Sequence, residues 1–118
     1  MATWQKLQIK PGQTVAVLGL PRGVDLALPA DVTVVPDAAK ADAVLAFVGS
    51  AAELAGARPA IDAARADRMA WIAYPKGGQL GTDLNRDRLA DLVRAEAAQP
   101  VRQISLDATW SALRFRPA

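Results

Sequence analysis

The sequence predicts an α/β fold: a three-layer sandwich on a mostly parallel sheet of about six strands, closed by a C-terminal antiparallel hairpin. Three observations carry this. Residues 14–18, 43–48 and 69–74 are short, continuous apolar runs of the kind that make central parallel strands. Segments with helical patterning follow the second and third runs. The last two runs, 101–106 and 110–116, are separated by only Asp107, Ala108 and Thr109, which reads as a hairpin.

Taken in order, residues 1–13 form a polar lead-in, with Leu7 and Ile9 alternating against Lys6, Gln8 and Lys10 and a turn at Pro11-Gly12. After the strand at 14–18 comes a loop over 19–23. Residues 24–28 have room for one or two helical turns at most before Pro29. Residues 32–35 give a second strand, so the connection between the first two is barely long enough for a parallel crossover. After the strand at 43–48, Ser50 and Glu53 have the spacing of a capping box that opens a helix, which Pro59 kinks or splits. Beyond the strand at 69–74, a loop over 75–82 leads to a helix over 84–98. Asp83 or Thr82 is its expected N-cap, Leu84, Leu89, Leu92 and Val93 form its apolar stripe, and Pro100 is its stop.

Composition limits the chemistry. At 118 residues the chain reads as one domain, 1–118, and its 52% hydrophobic content suffices for a core without disulfides or metal. It has no cysteine and no histidine. That removes thiolate nucleophiles and Cys-type metal sites, along with the commonest general base and metal ligand. A formal charge of +2 with interspersed acids and bases permits an anionic ligand, and it gives no ground to expect nucleic acid. Without a signal-peptide pattern or an apolar run near the roughly 20 residues of a membrane span, the expectation is a cytoplasmic protein with no membrane partner.

Two resemblances attach to particular residues. LQIKPGQTVAVLG, the apolar strands at 43–48 and 71–75 and the closing hairpin resemble class I methyltransferase domains in layout. That resemblance implies a Rossmann-like fold and an S-adenosylmethionine-type site at the strand ends. The glycine loop departs from the pattern: VAVLGLPRG has no acid at the end of the strand and places a proline in the turn, so any such site would be degenerate. Asp37 lies near where a ribose-binding acid would sit. The YPK…GTDLNRD segment and the terminal DATWSALRFRP resemble a bacterial domain-of-unknown-function family of small proteins. This second resemblance implies a compact, trimmed Rossmann-like domain and no assigned activity or cofactor.

Ligands of open parallel sheets bind beyond the carboxyl ends of the strands. The loops expected there offer Arg22, Ser50, Lys76, Gly77, Gly78 and Thr82 as ligand-binding candidates for an anion or nucleotide-like molecule. A lysine beside two glycines ahead of a helix suits an anion, although the order is not that of a P-loop. A solvated turn explains the same residues. Asp83, Asp87 and Asp91 would share a helix face, and the interleaved arginines make that face a salt-bridged one. In the last strand Trp110, Arg114 and Arg116 share one face. If Leu113 and Phe115 face the core, those three form an exposed interface. No catalytic residue, metal ligand or cofactor is assigned. The leading expectation is a non-enzymatic module that binds a protein partner or self-associates, and the alternative is a small anionic ligand at the strand ends.

Overall fold

The computed structural model describes residues 3–118, so the first two residues of the lead-in lie outside the described residues. Six strands, β1 (Thr14–Leu18), β2 (Thr33–Val34), β3 (Ala43–Phe47), β4 (Met69–Pro75), β5 (Ala98–Ser105) and β6 (Trp110–Pro117), form one sheet in the order β2-β1-β3-β4-β6-β5. The pairs β1/β2, β1/β3 and β3/β4 are parallel. The pairs β4/β6 and β6/β5 are antiparallel. The sheet is therefore mixed: one half is parallel, and the hairpin makes the other half antiparallel, with its second strand innermost.

Two helices follow the central strands. A 3-10 helix over Ala51–Ala57 gives way to α2 over Arg58–Arg65, after a single helical turn, α1, at Thr3–Lys6. Pro59 divides the segment as its ring requires, and it sits in the first turn of α2, where a missing N–H is harmless. The next helix, α3, spans Arg86–Arg94 and stops short of residue 98. The chain must reverse into β5, and Ala97 makes that turn at φ 66°. Pro100 consequently lies in β5, opposite Phe115, and does not act as a helix stop. An edge strand tolerates proline, and the register shifts directly after it, between Pro100 and Arg102.

The period of two along each strand sorts the core into two clusters. Val44, Ala46, Ile72, Leu113 and Phe115 face α2 and α3, meeting Ile61, Leu89 and Val93. On the opposite face Val15, Leu45, Phe47, Trp71 and Trp110 are covered by Leu7, Ile9, Leu26 and Val32. These come from the lead-in and the β1–β2 connection. Trp71 fixes the lead-in by donating from Nε1 to the Leu7 carbonyl at 2.9 Å. No helix forms over 24–28. Asp25 Oδ1 instead accepts from the Ala27 N–H at 2.8 Å, and Ala27 takes φ 50°, a turn that competes with helix. Among the described residues no helix is long and apolar enough to cross a membrane.

Candidate functional site

The loops at the strand ends are occupied largely with holding one another. A Cβ added at Gly19 would lie 3.0 Å from the Phe47 carbonyl oxygen, and Gly19 has φ 69°. This glycine therefore serves the close approach of the β1 end to β3. Asp37 is likewise engaged locally, with Oδ1 accepting from the Ala39 N–H at 2.9 Å.

The expected capping arrangement is exchanged between loops. Ser50 makes no side-chain cap; its hydroxyl lies 3.4 Å from Glu53 Oε2, to which it donates. The N–H of Ala51 is instead accepted by Asp83 Oδ1 at 2.9 Å. With Asp83 turned toward that helix, Asn85 becomes the N-cap of α3, accepting from the Arg88 N–H at 2.8 Å. Thr82 Oγ1 accepts from the Leu84 N–H at 3.0 Å. The acidic row is dissolved by the same shift, because Asp83 lies outside α3, while Asp87 and Asp91 pair with Arg86 and Arg94. Among the described residues, no group of three or more His, Cys, Asp or Glu side chains is placed to hold a metal ion.

An open groove of about 520 Å³ lies instead on the helix face, between the end of β4 and the hairpin. Cross-strand register builds its floor. Tyr74 on β4 pairs with Ser111 on β6, which pairs with Ser105 on β5, so three hydroxyl side chains line up across three strands. Gln103 lies two residues before Ser105, on the same face, and donates from Nε2 to the Tyr74 hydroxyl at 3.2 Å. Lys76, Gly77 and Arg86, the first residue of α3, form the rim, and Ile104 completes the lining.

Lys76 is held by the hairpin. Its ammonium donates to Ser105 Oγ at 2.8 Å and to the Asp107 carbonyl at 2.6 Å. Arg86 is half exposed and pairs with Asp87, itself 88% exposed, at 3.2 Å. Burial pushes the Tyr74 hydroxyl above its ordinary pKa of 10.0; a hydrogen bond with Ser111 and the charge of Arg86 partly oppose that shift. Among the described residues, no carboxylate lines the groove.

Of the expected ligand residues, the groove gathers Lys76 and Gly77 and takes in none of Arg22, Ser50, Gly78 or Thr82. Arg22 is exposed on the β1–β2 connection, and Gly78 supplies φ 81° to the turn after β4. The sequence reading passed over Tyr74, Gln103, Ser105 and Ser111. A usable signal was present: Ser105 and Ser111 flank the hairpin turn symmetrically, which sets them opposite each other in an antiparallel pair.

The hairpin surface also differs from expectation. Trp110 is only 6% exposed and meets Phe47 edge-to-face, with ring centroids 5.2 Å apart. The face assigned to solvent is covered by Leu7 and Ile9 of the lead-in, so both faces of β6 are buried at this end. Arg114 is half-buried and donates from Nη1 to Gln8 Oε1 at 2.9 Å. Arg116 stays exposed and donates from Nε to Asp67 Oδ1 at 3.3 Å.

No family model matches the chain, and no curated protein matches it. Among solved structures the chain is similar to one described as the structure of LepI in complex with SAM, with 14% sequence identity and a TM-score of 0.49. The match covers 98% of this chain and 39% of that chain, so this chain spans about two fifths of the length of that neighbour.

Proposed function

We propose that this protein is a non-enzymatic binding module, and that the groove between β4 and the hairpin takes a small ligand bearing an anionic group. The observation that carries this reading is the lining: Lys76 and Arg86 stand at the rim, with no carboxylate among the lining residues. Lys76 is a positioned charge, since two hairpin oxygens fix its ammonium. Arg86 is the adaptable partner. Its contact with Asp87 is a surface pair of the kind worth about 0–1 kcal/mol, so an oxyanion can displace it at little cost. The guanidinium can then meet a carboxylate or phosphate through two parallel N–H donors.

The hydroxyl row supplies neutral hydrogen-bonding groups for the rest of such a ligand. Tyr74 is held in its protonated form, so it can donate a hydrogen bond and is a poor base near neutral pH. With no histidine or cysteine in the sequence, this lining favours binding over turnover.

Thermal-shift measurements against inorganic phosphate, nucleoside monophosphates, phosphorylated sugars and dicarboxylates test the reading. A ligand at 100 times its dissociation constant stabilises by about 2.7 kcal/mol. At least one anionic compound should raise the melting temperature of the wild type and fail to do so for Arg86→Ala. A flat panel, or an equal shift in the variant, overturns the proposal.

A further inference from the structure

The sheet face opposite the groove concentrates positive charge at its free edge. Arg102 on β5 lies directly across from Arg114 on β6. Ile104, two residues along β5, packs into the cluster that holds Trp110 and Ala112, which places Arg102 on the Arg114 side of the sheet. Arg116 shares that face by the period of two. Like charges directly opposite each other in adjacent strands are unfavourable unless something answers them. Among the described residues very little does. Asp67 pairs with Arg116, Arg114 reaches only the neutral Gln8, and Arg102 has no ion pair. The Nε of Arg114 is buried without an acceptor.

The same residues border an unpaired strand edge. β5 ends the sheet order, so among the described residues no further strand pairs with its outer edge, where the Ser105 carbonyl accepts only from Lys6 Nζ at 3.3 Å. Pro100 and the register shift after it, which takes in Val101, interrupt the first part of that edge, leaving the run 102–105 regular. Val101, 47% exposed, adds an apolar contact point.

We propose that the 102–105 edge of β5 accepts an extended acidic segment of a partner protein as a seventh strand, with its carboxylates held by Arg102 and the adjoining Arg114. Strand addition takes affinity from main-chain hydrogen bonds and specificity from alternate side chains, and here the alternate position is an arginine suited to bidentate carboxylate contact. A second copy of the chain is the wrong occupant. β5 reads AQPVRQIS, so its only charged residue is Arg102, and edge-to-edge pairing of two copies brings no counter-charge. The charge that discourages self-pairing selects an acidic partner. Arg102 and Arg114 lie on the face opposite the groove, while Gln103, Ile104 and Ser105 of the same strand also line the groove, so the response to Arg102→Glu separates the two sites.

A fluorescein-labelled peptide of alternating glutamate and threonine, with a lysine–threonine peptide as its counterpart, tests the proposal by anisotropy and amide hydrogen exchange. The acidic peptide should bind and slow exchange at amides in 102–105, and Arg102→Glu should weaken it by about tenfold or more. The lysine peptide should bind Arg102→Glu better than wild type. Arg102 is exposed and forms no ion pair among the described residues, so the variant should fold, as circular dichroism can verify. Four results overturn the proposal. They are no binding of the acidic peptide, binding that ignores Arg102→Glu, protection centred on Arg86, or tighter binding of a single-stranded oligonucleotide to the same face.

Discussion

Asp83 Oδ1 accepts a hydrogen bond from the Ala51 N–H at 2.9 Å, so the loop after β4 caps the helical segment that follows β3. A capping box would have set the Ser50 hydroxyl on the Glu53 N–H, whereas that hydroxyl meets the Glu53 carboxylate and leaves the cap to Asp83. The observed bond joins two strand-end loops that are distant in sequence, and so couples the N-terminus of one helical segment to the approach of the next.

Removing that cap should therefore cost more than removing the local one. Asp83→Ala is expected to lower stability by about 1 kcal/mol in urea denaturation, the usual value of an N-cap. Ser50→Ala should change it by a few tenths at most, within the range of about 0.5 kcal/mol for surface substitutions. The reverse ranking would mean that the capping box forms after all.

Tyr74 predicts the behaviour in alkali. Burial raises its pKa above the unfolded value of 10.0, so the unfolded chain gives up the proton first as pH rises. The native state then binds more protons than the unfolded one, and stability falls with increasing pH. The contribution is intact below about pH 10 and is lost as pH climbs through the folded value. Tyr74→Phe should flatten this decline between pH 9 and 11, measured by urea midpoints against wild type. An identical slope in the two proteins would remove Tyr74 as its source.

Trp110→Ala distinguishes a core residue from an interface residue. Buried against Phe47, its loss should cost about 3–5 kcal/mol, as large aromatic truncations in cores do. A solvent-facing tryptophan would cost far less. A change under 1 kcal/mol in chemical denaturation would contradict the packing described here.

Lys76 should act on the hairpin. Lys76→Met keeps the aliphatic stem and deletes both hydrogen bonds to Ser105 and Asp107. Two partly solvated bonds of about 0.5–1.5 kcal/mol each imply roughly tenfold faster exchange of the amides at 107–110. Unchanged protection there would mean that the turn is held by Asp107 alone, whose carboxylate accepts from the N–H groups of Thr109 and Trp110.

How much of this was legible follows from where the information lies. β1, β3 and β4 could be read because strands covered on both faces are continuous apolar runs, and the hairpin because its turn is short. The exchanged cap could not be read, since nothing in Ser50 or Glu53 signals that an aspartate 32 residues beyond Ala51 will displace them. The burial of Trp110 was hidden for a similar reason: alternation shows which residues share a face, and it does not show that Leu7 and Ile9 will cover it. The groove was half visible. Lys76 and Gly77 stood out as a lysine–glycine turn, whereas the Tyr74–Ser111–Ser105 row exists only once the register of three strands is fixed. The absence of histidine and cysteine needed no structure at all.

The sheet order also carries a consequence for biosynthesis. β5 joins the sheet only through β6, which is made after it and inserts between β5 and β4. As the chain leaves the ribosome, β1 to β4 can pair while β5 has no strand to lie against and β4 presents an open edge. Both gaps close in a single step when the residues of β6 emerge, so the nascent protein should remain exposed to chaperones and to strand-pairing errors until that last strand arrives.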